Sequence, residues 1–150
     1  MLVTIDFLIK LWVNSNVFEP IVVWQNRGHV DFFIQYVTNR GGAWGMLASF
    51  HKPLLIVRVL VIMGLLAYLW SEAPLFKKSL CLVLILAGAI GNVLDSFLYG
   101  HVIDMFHFLF WGRSYGIFNF ADAMIFIGSL GLIFMPRTID HANRANRDSP

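Results

Sequence analysis

The sequence predicts an all-α integral membrane protein, with four transmembrane helices, a small extracytoplasmic β-cradle and a short interfacial helix. Three observations carry that expectation. Apolar residues make up 58% of the 150-residue chain and charged residues only 13%, against about 45–50% and about 25% in soluble domains. Several apolar runs approach the roughly 20 residues needed to cross a hydrocarbon core. The polar residues inside those runs are few, and they gather toward one end of each.

The first helix is expected over residues 1–16. Its apolar stretch 1–13 holds Asp6 and Lys10 and is short for a span. A signal peptide is disfavoured, because no small-residue cleavage site follows and no basic residue precedes the apolar part. A first spanning helix with a short or missing beginning is the preferred reading. The second helix is expected over 54–71, interrupted by Arg58 near its start, and the third over 79–98, apolar until Asn92 and Asp95. The fourth is expected over 117–135, with Asn119 and Asp122 in its first turns and Pro136 as its stop.

Between these runs lie loops 17–53 and 99–116 and a polar tail, 136–150. Lys77 and Lys78 in the short second connection, with Arg137, Arg144 and Arg147 in the tail, concentrate positive charge on one side. That side is expected to be cytoplasmic, with both termini there and the two larger loops outside. Residues 21–38 combine a Gln-Asn-Arg-Gly turn with β-branched and aromatic residues and predict one or two strands at the water interface. Residues 105–111 (MFHFLFW) predict a short interfacial segment on the membrane surface. No repeat is visible, and a single domain over 1–150 is expected.

Cys81 is the sole cysteine, so there is no intramolecular disulfide and no Cys/His cluster for structural zinc. A net charge of +2 gives no footing for nucleic-acid binding. With helices threaded in this order, Asn92, Asp95, Asp104, Asn119 and Asp122 all converge on the outer boundary. Two neighbouring carboxylates there can share one proton, the ionised one activating water and the protonated one polarising an amide carbonyl. The same groups also suit hydrogen bonds that hold a bundle together. On the residues alone, both readings of Asp104 and Asp122 stand.

Four blocks then carry a family resemblance. Asp6-Phe-Leu-Ile-Lys10, Asn39-Arg-Gly41-Gly42-Ala43-Trp44, Gly91-Asn92-Val-Leu-Asp95 with Val102-Ile-Asp104, and Phe118-Asn119-Phe-Ala121-Asp122 lie in that order. They resemble the ordered motifs of the prolipoprotein signal peptidases (signal peptidase II). The resemblance implies an aspartic endopeptidase that cuts diacylglyceryl-modified prolipoproteins before the lipidated cysteine, with Asp104 and Asp122 as the catalytic pair. It also implies substrate-binding or supporting roles for Asn39, Gly41, Asn92, Asp95, Asn119, Ala121, Asp6 and Lys10. Asp6 and Lys10, four apart, share a helix face and can pair. A bacterial inner membrane, a monomer, and the prolipoprotein and membrane phospholipid as partners follow, with no cofactor and no metal.

Three departures from the family pattern cover four positions. Ser96 replaces an Arg, which removes a cation and a possible partner for Asp95; Arg58 is a candidate replacement. Met105 replaces Phe, and Gly42 and Trp44 replace Ala and Phe. Competing readings are a metal site from His101, Asp104, His107 and His51, a non-enzymatic helical scaffold or transporter subunit, and a catalytically impaired family member. A serine protease is excluded by the lack of a Gly-x-Ser-x-Gly elbow with a partnering His.

Overall fold

A computed structural model describes residues 1–26, 29–40, 48–72 and 74–135. Their order is α1 (Leu2–Asn16), β1 (Ile21–Asn26), β2 (Val30–Asn39), a 3-10 turn (Ala48–Phe50), α2 (His51–Glu72), α3 (Phe76–Tyr99), β3 (Val102–Phe110), β4 (Arg113–Phe118) and α4 (Phe120–Ile133). Gly41 and the rest of its block to Trp44 lie outside the described residues, as do Arg27 and Gly28 of the expected turn and the basic tail.

The apolar runs form helices near their expected bounds. α2 and α3 are long and apolar enough to cross a membrane, while α4 is a shorter apolar helix. α2 keeps one side chain buried, Ile62, and leaves Ile56, Leu60, Val61 and Met63 exposed. α3 is the central helix, burying nine residues between its neighbours. Its packing against α4 depends on two glycines. A Cβ on Gly88 would strike the Ala121 carbonyl oxygen, and one on Gly128 would lie 2.6 Å from the Cys81 carbonyl oxygen. α3 ends at Gly100, whose left-handed backbone (φ 73°) closes the helix with an N–H bond to the Ser96 carbonyl.

The two large loops pair into one antiparallel sheet, in order β1-β2-β3-β4. Strands were expected in residues 21–38 and are found there. The expected interfacial helix over 105–111 is instead most of β3. Its residues satisfy their backbone groups against β2 on one side and β4 on the other. Phe108 stacks on Phe32 at 4.4 Å and on Phe118 at 6.0 Å between centroids, so the aromatic run serves cross-strand pairing. The β3–β4 link is the two-residue turn Trp111-Gly112, both at positive φ (50° and 72°), as a tight hairpin requires.

Strand alternation gives β3 two buried faces. Ile103 and Met105 pack with Val13 and Val17 from the end of α1. Asp104 therefore faces the opposite way, and Met105 in place of Phe is an apolar filler on the side remote from it. The fourth helix starts at Phe120, three residues later than expected, because Ile117 and Phe118 belong to β4.

Candidate active site

Asn119 and Asp122 build the start of α4 as a reciprocal capping box. The Asp122 N–H donates to Asn119 Oδ1 at 2.8 Å, and the Asn119 N–H donates to Asp122 Oδ2 at 3.3 Å. Two of the free N–H groups that open a helix are thus held by the site itself. The Ala121 N–H donates to Asp6 Oδ1 on α1 at 2.9 Å. Asn119 is the helix cap and not a first-turn residue as expected from the sequence.

Asp104 comes from β3. It is 2% exposed, and its two oxygens accept from Asn119 Nδ2 at 2.8 Å and Asn39 Nδ2 at 2.9 Å. Asn39 ends β2 and sits opposite Val102 in the register, one pleat from Asp104 on the same face. Burial pushes the Asp104 carboxyl up to about 6; the Asn39 bond opposes this and the Asp122 charge adds to it.

Asn92 of α3 joins the pair to a buried ionic cluster. Its Nδ2 donates to Asp122 Oδ1 at 2.8 Å, while its Oδ1 accepts from Asn119 Nδ2 at 3.1 Å and from Lys10 Nζ at 3.0 Å. Lys10 also pairs with Asp6 at 2.8 Å and Asp95 at 2.7 Å, and all three are 0–1% exposed. The i,i+4 pairing of Asp6 with Lys10 is present. The expected loss of a partner for Asp95 is corrected: Lys10 supplies the cation, and the Ile103 N–H donates to Asp95 Oδ2 at 3.2 Å. Asp95 thereby ties α3 to α1 and β3. Ser96 is buried and spends its hydroxyl on the Asn92 carbonyl within α3. A Cβ on Gly91 would strike Asp6 Oδ2, so this glycine admits the ionic cluster against α3.

Asn39, Asn92, Asp104 and Asp122 open on one cavity of about 840 Å³. Arg58 adds a cation to its wall, on the side where the sequence offered it as a replacement for the missing Arg. The remaining wall is mostly apolar, from Ile117 and Phe118 of β4 and Ile125 and Phe126 of α4. The strand that carries Ile117 and Phe118 was not anticipated. Asp6, Lys10, Asp95, Asn119 and Ala121 do not line the cavity but hold those that do. The proposed metal cluster does not assemble: among the described residues no three His, Cys, Asp or Glu side chains gather around a point. His101 bonds Tyr36 and His107 bonds Ser114.

Residues 1–136 match the model of the family described as signal peptidase (SPase) II. The chain belongs to the signal peptidase II family. The lipoprotein signal peptidase of Chlamydia trachomatis serovar L2 is 40% identical over 144 residues, covering 89% of this chain and 84% of that protein. The one from Chlamydia pneumoniae is 34% identical over 142 residues, with the same coverage. A bacterial membrane enzyme solved by the in meso method shares the fold, with a TM-score of 0.76 at 23% identity over 99% of this chain and 87% of that one. A second such structure gives 0.73 at 25% identity over 88% and 84%. The apolar helices and the small sheet therefore belong to the fold of a bacterial membrane enzyme.

Proposed function

We infer that this chain is a membrane endopeptidase that removes the signal peptide from lipid-modified prolipoproteins, with Asp104 and Asp122 as its catalytic pair. Family membership supports the activity and the substrate class. One observation supports the pair: both carboxylates accept hydrogen bonds from Asn119 and open on the same cavity.

The chemistry follows from sharing one proton between the two carboxyls. The ionised member takes a proton from water as its oxygen attacks the scissile carbonyl carbon. The protonated member donates to the carbonyl oxygen, giving a tetrahedral diol. Collapse breaks the C–N bond: the proton first taken from water passes to the leaving nitrogen, and a diol hydroxyl returns its proton to the other carboxylate. Asp104, at about 6, can carry the shared proton close to neutral pH. Asn92, Asn119 and Asn39 fix the carboxylates by donating to them, and Arg58 is placed to meet substrate carbonyls. No metal or cofactor is needed by this scheme.

The wider reading has α1 to α4 as four spans, the sheet as an outward cradle over the cavity, and both termini in the cytoplasm of a bacterium with the chain in its inner membrane. The exposed apolar face of α2 supports contact with lipid. A single domain acting as a monomer, with phospholipid around it, completes the proposal.

Cleavage of a lipidated precursor in detergent by wild type, Asp104→Asn and Asp122→Asn tests the pair. Each substitution is expected to lower kcat by about 10³-fold or more. Near-full activity in either one would falsify the assignment.

A further inference from the structure

A second cavity, of about 400 Å³, lies where β2 hands over to α2; Arg40, Ser49, His51, Lys52, Pro53 and Gly100 line it. Among the described residues, it shares no lining residue with the proposed catalytic cavity. The His51 Nδ1–H donates to the Arg40 carbonyl at 3.1 Å, which fastens the end of the strand to the first residue of the helix.

Among the described residues, no carboxylate neutralises the charge here. No Asp or Glu occurs between Asp31 and Glu72 in the sequence. Among the described residues, both ion pairs belong to Lys10, and neither Arg40 nor Lys52 has a carboxylate in reach. The field extends to His101, whose protonation burial disfavours first and the charges of Arg40 and His51 disfavour further.

Directly along α2 from Lys52, at steps of one helical turn, stand Ile56, Leu60 and Met63, 61%, 64% and 60% exposed. Phe50 precedes them, 57% exposed. A cationic cup sits at the top of an apolar stripe. An inorganic anion would use the cup alone; a molecule with an anionic head and hydrocarbon tails uses both.

We propose that Arg40, His51 and Lys52 form a headgroup site for an anionic phospholipid, whose acyl chains lie along Ile56, Leu60 and Met63. Arg40 and Lys52 bind the phosphodiester, and a headgroup without net charge is the poorer ligand. The proposal rests on the reading of α2 as a membrane span.

The test uses the full chain in detergent, with phosphatidylglycerol or phosphatidylcholine added and bound lipid counted by native mass spectrometry. Wild type is expected to prefer phosphatidylglycerol by about 30-fold, the scale set by two interfacial cations. R40Q/K52Q is expected to lose the preference, and R40K/K52R to keep it, which separates charge from misfolding. An undiminished preference in R40Q/K52Q overturns the proposal. Inorganic phosphate that displaces the lipid at equal concentration also overturns it, by moving the site to a soluble anion. Alkaline extraction of membranes is read in parallel. A chain released by carbonate refutes the span; an inserted chain without lipid preference refutes only the headgroup site.

Discussion

Lys10 Nζ donates to Asn92 Oδ1 at 3.0 Å, so a buried ammonium decides which way the amide beside Asp122 faces. The reversed amide would set NH₂ against NH₃⁺ and turn an oxygen toward the Asp122 carboxylate. Lys10 reaches the proposed catalytic pair through this side chain, and its charge also favours ionised Asp104, without lining the cavity.

Lys10→Met removes the cation from between Asp6 and Asp95. Breaking a buried ionic group this way costs about 3–5 kcal/mol. The expected result is a large fall in Tm in detergent together with lost cleavage. A variant with wild-type Tm would show that the cluster contributes little to the fold.

Asn39→Ala removes the donor to Asp104 Oδ2. That bond holds the carboxyl down against burial, so its loss moves Asp104 further above about 6. A limb in the pH profile of kcat/KM that tracks ionised Asp104 is then expected to shift to higher pH. An unmoved limb would mean that Asn39 does not tune this titration.

The same carboxyl makes folding stability depend on pH. Its value rises from 3.8 to about 6 in the folded chain, so the folded state holds the proton more tightly. The stabilisation is complete below 3.8 and is lost as pH climbs through about 6, by about 3 kcal/mol in all. Thermal scans from pH 4 to 7 should show wild type losing stability over this window and Asp104→Asn losing much less. Parallel curves would contradict the assignment of the slope to Asp104.

Gly88→Ala places a methyl group against the Ala121 carbonyl and 2.8 Å from Ile125 Cγ1. It should force α3 from α4, cost about 1–3 kcal/mol, and displace Asp122. Gly64→Ala on α2 meets nothing within 4 Å and should be neutral or stabilising by up to about 1 kcal/mol. Tm values for the two variants check the contrast, and equal losses would refute a close approach specific to Gly88.

The sequence exposed much of this arrangement because lipid-length apolar runs are hard to mistake. Once the helices were placed, Asn92, Asp95, Asp104, Asn119 and Asp122 had to meet at one end, and they do. The aromatic run 105–111 was misread because consecutive apolar residues carry no period that separates a strand from an interfacial helix. Its hairpin turn, Trp111-Gly112, lacks the usual Asn-Gly or Asp-Gly signature. The Asn119-x-x-Asp122 spacing was open to recognition as a capping box, but with Asp in the place more often held by Glu or Gln. The pairing of Lys10 with Asp95 joins residues far apart in the chain, and no local pattern announces it.

The helices differ in length in a way that matters for the bilayer. α4 has 14 residues, about 21 Å of helix, while a hydrocarbon core is about 30 Å thick. Its first turn is fastened to α1, where the Ala121 N–H donates to Asp6. On the proposed reading of α4 as a span, the lipid beside it must thin to match it, and the membrane dimples where Asp122 sits. Hydrophobic mismatch is then part of the proposed substrate delivery: a peptide bond at the lipid surface travels a shorter way to the carboxylates than in an undistorted bilayer. Thicker membranes would resist that dimple and hold the bond further away.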